Sequence, residues 1–157
     1  MSADKITGPS HIRHWLGDME ADYIYTLGVA GERFFKEIKE NVRIMGAKCS
    51  CCDVVFVPPR VYCEKCFTRL DKWIDVGTKG EVYTFTNATI GVDGKKLETP
   101  VTYALIKFPG TCGGLIHKIG ETKPEKMRIG MRVEAVFKPL EERKASINDI
   151  KYFKPTK

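Results

Sequence analysis

Six cysteines stand in this chain, and four of them constrain it more than any other feature. The stretch from Cys49 to Cys66 reads Cys49-Ser50-Cys51-Cys52, then ten residues, then Cys63-Glu64-Lys65-Cys66. Two Cys-x2-Cys knuckles joined by a short loop bring four thiolates to one point, with the loop running out and back as a small β-ribbon. A tetrahedral four-sulfur site suits Zn²⁺ and leaves no coordination position for water or substrate, so its role is structural. Spacing chooses among the crowded sulfurs of the first knuckle. Cys49 with Cys52 repeats the interval of Cys63 with Cys66, whereas Cys51 would leave adjacent or x1 pairs. The expected ligands are therefore Cys49, Cys52, Cys63 and Cys66, with Cys51 and Cys112 left as free thiols.

Iron competes for four thiolates. Rubredoxin knuckles usually carry Gly after their second Cys, and this chain has Asp53 and Phe67 there, which favours zinc. No export signal is expected from Met1-Ser2-Ala3-Asp4-Lys5-Ile6-Thr7, which lacks an apolar core. Six cysteines then suggest a reducing cytoplasm, where thiols hold metal in place of pairing. Nothing in the chain reads as a membrane-spanning run. The formal charge of +6 points to an anionic partner or to a solvated lysine surface; the basic residues are spread without a run, which favours the surface.

Upstream of the knuckles, Tyr23, Leu27, Ala30, Phe34 and Ile38 recur at helical spacing, with Asn41 as the stop. Tyr23, Tyr25, Phe34 and Phe35 are more aromatic than a core stripe needs, so the helix either packs on its own ribbon or meets another chain. His11 and His14 could share a helical face but have no third ligand nearby. Val54-Val55-Phe56-Val57 is a β-prone run between the knuckles. Pro58-Pro59 then presents Arg60 on stiff backbone, for a phosphate or carboxylate or simply for solvent.

From Trp73 the texture changes to short strands: 81–90, 101–108 (expected to be buried on both faces over most of its length), 115–119, an alternating 133–137, and 150–153. Five strands in this length fit a small closed barrel of the OB type. The expected organisation is mainly β with N-terminal helices: a helical segment over 1–45, a zinc ribbon over 46–72 and a five-stranded OB-fold barrel over 73–157.

Catalytic motifs are missing. The chain has no nucleophile elbow, phosphate-binding Gly-rich loop, dinucleotide fingerprint or His-Glu-x2-His. Cys112, in Gly110-Thr111-Cys112-Gly113-Gly114, lacks an identifiable base, and a tight hairpin turn accounts for those glycines. His117 reads as a strand residue without catalytic company. The residues describe a binding or scaffolding protein.

The chain resembles the DUF35 family, which joins a rubredoxin-like zinc ribbon to an OB-fold. The resemblance runs from about Tyr23 to Phe153 and rests on Gly28…Arg33-Phe34, Gly46-x2-Cys49, Phe56-Val57-Pro58-Pro59-Arg60 and Cys63-x2-Cys66. Further on it includes Gly80-x-Val82-x2-Phe85-Thr86, the Val101–Phe108 strand, Gly113-Gly114 and Ile129-Gly130-Met131-Arg132-Val133. It implies a non-catalytic accessory subunit of a thiolase-type acyl-CoA enzyme complex, an acyltransferase whose catalytic Cys and His lie on the partner chain. Such partners include acetoacetyl-CoA thiolase with hydroxymethylglutaryl-CoA synthase, and aromatic-degradation thiolases such as benzoylsuccinyl-CoA thiolase. The subunit would dock by helix and ribbon and help enclose the acyl-CoA, with no residue here assigned to the CoA. The alternative is a nucleic-acid-binding ribbon and barrel, for which Tyr83, Phe85, Tyr103 and Lys107 are candidates better used as strand core.

Overall fold

The computed structural model describes residues 25–91 and 93–156; Tyr23, His11 and His14 lie outside them. Helix α1 (Gly28–Asn41) follows the apolar periodicity, with Ala30, Phe34 and Ile38 buried at intervals of four. It ends where Val42 turns left-handed (φ 57°) and the backbone N–H closes onto the Glu37 carbonyl. Leu27, expected on the buried stripe, precedes the helix and is exposed. The helix does not pack on the ribbon alone. Phe34 and Ile38 enter one core with Ile44, Met45 and Val57 of the ribbon and Val82, Ile106 and Phe153 of the barrel. Arg143 pins the helix end by donating to the Lys39 carbonyl at 2.8 Å, and the Arg33 guanidinium lies 4.5 Å from the Trp73 ring centre.

The ribbon is a sheet of four short strands. β1 (Met45–Lys48) pairs antiparallel with β2 (Val55–Val57) and with β3 (Lys72–Asp75). Gly46 is required here, because a Cβ would sit 2.7 Å from a Val55 methyl. Along the chain follow β4 (Lys79–Ile90), β5 (Lys96–Lys107), β6 (Thr111–Gly113), β7 (Leu115–Lys118), β8 (Arg132–Phe137) and β9 (Ile150–Pro155). β6 leaves the barrel and completes the ribbon sheet, in the order β3-β1-β2-β6. It runs parallel to β2, with Phe56 opposite Cys112 and Val57 opposite Gly113, and Gly114 N–H donates to the Val57 carbonyl at 2.8 Å. This corrects the expectation that Gly113 and Gly114 serve a tight turn. The turn is made at Pro109-Gly110, and the later glycines let two backbones touch. Gly113 (φ 92°) lies so close that a Cβ would overlap the Val57 carbonyl oxygen, and one on Gly114 would lie 2.5 Å from the Ile106 oxygen.

The second sheet runs β7-β5-β4-β8-β9 and closes through a parallel bridge from Ile119 to Phe153, with Gly120 N–H on the Phe153 carbonyl at 2.9 Å. A three-stranded meander, a returning hairpin and a parallel closure make the OB-fold barrel. β5 alternates, in contrast to the two-sided burial expected of it. Thr102, Ala104 and Ile106 are buried, while Tyr103, Leu105 and Lys107 are only partly covered. β4 and β5 pair over their length, and the register slips between Ala88 and Ile90, opposite the stretch that holds Pro100. The β8–β9 connection is held by Asp149, buried and accepting from the backbone N–H groups of Lys144 (2.8 Å) and Ser146 (3.2 Å).

Candidate metal centre

Cys49 directly follows β1, and the chain reverses at once. Asp53 N–H returns to the Cys49 carbonyl at 3.1 Å, and Cys49 N–H donates to the Val54 carbonyl at 2.8 Å. The second knuckle repeats this, with Phe67 N–H on the Cys63 carbonyl at 3.0 Å and Cys63 N–H on the Thr68 carbonyl at 2.9 Å. Both turns need a left-handed residue after the second cysteine, and Asp53 (φ 56°) and Phe67 (φ 59°) adopt it. The absence of glycine therefore changes the strain of the knuckles and not their shape.

The geometry brings together the four sulfurs chosen from spacing. Those of Cys49, Cys52, Cys63 and Cys66 all lie within 4.8 Å of one another, with Cys49 and Cys66 at 3.5 Å. Zn–S bonds of about 2.3 Å at tetrahedral angles place sulfurs about 3.8 Å apart, so the cluster fits the ion. Backbone N–H groups already face the sulfurs: Cys52 N–H toward Cys49 Sγ at 3.3 Å and Lys65 N–H toward Cys63 Sγ at 3.4 Å. Cys49 and Cys63 are fully buried in a small core with Ala47, Phe56 and Leu70, while Cys52 and Cys66 border solvent. Hydrogen bonds from the side chain and backbone of Thr68 hold the Cys66 pKa down at about 6. Cys52 is pushed up, chiefly by its hydrogen bond to Cys66.

Cys51 and Cys112 are exposed and outside the cluster. Cys51 is held above its ordinary pKa, first by a hydrogen bond with Cys66 and by its charge. Cys112 sits on edge strand β6. His117, the one histidine among the described residues, is buried on β7 with Nε2 3.2 Å from the Ile147 carbonyl and its ring against Phe153. Burial pushes its pKa down. Neither residue has the partners of a nucleophile and base.

Arg60 turns back onto its own knuckle. It pairs with Glu64, and its guanidinium lies 5.2 Å from the Phe56 ring centre. Of the aromatic residues weighed for nucleic acid, Phe85 packs on the core and Tyr103 is partly covered, while Tyr83 is exposed with Lys107 Nζ 3.7 Å from its ring centre.

Sequence reading missed what the second knuckle displays. Val61, Tyr62 and Phe67 are all exposed beside the metal ligands, Phe67 at 79%. At the start of α1, Tyr25, Leu27 and Val29 are exposed as well. Only the fold reveals that these side chains face outward.

Known proteins share this plan. Two family models match, the rubredoxin-like zinc ribbon domain of ChsH2 over residues 40–71 and the C-terminal OB-fold domain of ChsH2 over residues 73–138. Over 111 residues the chain is 32% identical to a DUF35 domain-containing scaffold protein of Methanocaldococcus jannaschii, covering 70% of this chain and 78% of that one. The chain belongs to the DUF35 family. A DUF35 domain-containing scaffold protein of Pyrococcus furiosus is 27% identical over 111 residues, covering 70% of this chain and 79% of that one. Among solved structures, a DUF35 protein of unknown function from Sulfolobus solfataricus superposes with a TM-score of 0.63 at 30% identity, covering 82% of this chain and 84% of that one. A chain of the Ltp2-ChsH2(DUF35) aldolase gives 0.57 at 20% identity over 79% of this chain and 93% of that one, a likeness of fold. Among the described residues, no helix is long and apolar enough to cross a membrane.

Proposed function

We propose that this DUF35 protein is a non-catalytic accessory subunit that docks on a thiolase-fold catalytic chain and helps enclose its acyl-CoA. In this reading Cys49, Cys52, Cys63 and Cys66 hold a structural Zn²⁺, and the ion fixes a docking surface. The observation that carries the reading is the pairing of a closed sulfur cluster with exposed apolar side chains on the same rigid knuckle. Four sulfurs leave a bound ion no open position at which to activate water, so metal-assisted chemistry is not its task. Exposed aromatics on a pre-ordered support are what binding interfaces use as anchors. The scaffold names of the archaeal relatives support an accessory role, and the Ltp2-ChsH2(DUF35) aldolase shows such a chain beside an enzyme.

The test is native purification of the tagged full chain from its source organism, with mass identification of whatever co-purifies. A thiolase-fold chain at fixed stoichiometry is expected, together with acyl-CoA turnover by the complex and none by the chain alone. Turnover of acyl-CoA by the purified single chain would end the reading.

A further inference from the structure

The outer face of the barrel carries a concavity of about 550 Å³ where β5, β7, the β8–β9 connection and β9 meet. Three lysines line it from three separate segments: Lys118 on β7, Lys138 just beyond β8, and Lys151 on β9. Among the described residues, none of the three has a carboxylate within ion-pair distance. Asp149, two residues from Lys151, is buried and its carboxylate accepts from the Lys144 and Ser146 N–H groups; Glu121, three residues from Lys118, accepts from the Tyr152 hydroxyl, and neither it nor Glu141 lines the concavity. Like charges gathered without compensation raise the potential of a concavity, more so where low-dielectric walls focus the field.

Two further features mark it as more than a lysine surface. Asn148 and Tyr103 line it and offer neutral hydrogen-bonding groups. His117 also lines it, and although only 8% exposed its Nδ1 has no hydrogen-bond partner among the described residues. The carbonyl of Ile147 only accepts, so Nε2 carries the ring proton of the neutral histidine and Nδ1 is left as an acceptor. A buried polar atom without a partner is uncommon enough to require an occupant or a bridging water.

We propose that this concavity binds a small anionic ligand carrying clustered phosphates, gripped by Lys118, Lys138 and Lys151. The volume suits a small molecule. Three lysines converging on one hollow also differ from the extended basic track, with interleaved stacking rings, that a single strand of nucleic acid uses. A second cationic concavity on the barrel serves as the contrast. Lys79, Lys107 and Arg132 line it, but Glu81 stands among them and Lys107 lies over Tyr83. The inference does not rest on the partner reading, because it concerns the isolated chain.

Isothermal titration of the full zinc-loaded chain at low salt, with ADP, inorganic pyrophosphate and inorganic phosphate as probes, tests it. ADP and pyrophosphate are expected to bind at least about tenfold more tightly than phosphate, since adjacent phosphates engage several ammonium groups together. Tighter binding of ADP than of pyrophosphate would identify a nucleotide as the ligand; equal binding would identify the polyphosphate alone. The double variant Lys138→Glu with Lys151→Glu should lose at least about tenfold, while Lys79→Glu with Arg132→Glu stays within about twofold of the parent. Equal losses in both variants, no detectable binding of either diphosphate, or tighter binding of a single-stranded oligonucleotide than of ADP would each overturn the proposal. Melting curves of the variants confirm that the fold is kept, and an unchanged partner pull-down separates this outcome from that of the accessory-subunit reading.

Discussion

At Phe67 two unfavourable choices coincide. Its backbone holds a left-handed conformation, which costs an L-residue about 1–2 kcal/mol relative to glycine, and its ring is largely in water. Glycine would relieve the backbone and remove the apolar surface, so folding alone does not account for a phenylalanine. In the accessory-subunit reading, an anchor for a partner does. Phe67→Gly is therefore expected to leave the melting temperature unchanged or raise stability by up to about 1 kcal/mol. The same change should weaken the complex by about tenfold or more, read by titrating the variant against the co-purified catalytic chain. A lower melting temperature with unchanged association would show that the ring is structural. The cysteines separate in the same way. Cys52→Ser should lose zinc and fold poorly, because it removes one of the four clustered sulfurs; Cys51→Ser should keep one zinc per chain, both read by elemental analysis beside melting curves. Metal loss in the Cys51 variant would move that thiol into the ligand set.

At the level of elements, β6 is only three residues long, as is β2, yet it stitches the barrel's own chain to the ribbon sheet. Gly113→Ala would force a methyl against the Val57 carbonyl and strain a positive φ, breaking the parallel pairing with β2. The expected cost is about 3 kcal/mol, measured by denaturant melts, with faster amide exchange at β2 and β6 before the rest of the molecule. A neutral substitution would mean that the two sheets are joined by side-chain packing alone. Sequence patterning does not reach this strand, because the need for glycine there is set by Val57, far away along the chain. The elements whose burial is periodic were legible: Ala30, Phe34 and Ile38 mark α1, and Val133, Ala135 and Phe137 mark β8. β1 and β3 were not. Neither Met45-Gly46-Ala47-Lys48 nor Lys72-Trp73-Ile74-Asp75 carries a β-branched run, and their burial is decided by the knuckles they frame. The ligand set came from the x2 spacing because a knuckle is local chemistry, whereas the lysine concavity collects residues from three segments and has no linear trace.

For the whole molecule, the question is whether zinc stabilises a detachable ribbon or the entire chain. Binding of structural zinc contributes on the order of 10 kcal/mol in small zinc modules, as much as the net stability of a typical domain, so its removal unfolds the ribbon. The barrel cannot then remain as it was. Ile44, Met45 and Val57 come from the ribbon side but are buried in the same core as Val82, Ile106 and Phe153. Each such side chain withdrawn removes roughly 1.5–3 kcal/mol of burial, and β6 loses its pairing partner as well. Helix α1 is bound to the same fate, because Phe34 and Ile38 pack across the junction. Chelation should therefore lower the melting temperature of the full chain in a single cooperative transition. Amide exchange should accelerate in β1–β3, in α1 and in the core-facing positions of β4 and β5. A chelated protein that melts in two steps, with the barrel strands keeping their protection and their original melting temperature, would show two independent bodies. In that case the zinc would govern only the knuckle surface, and loss of metal would abolish docking while sparing the phosphate-binding concavity on the barrel.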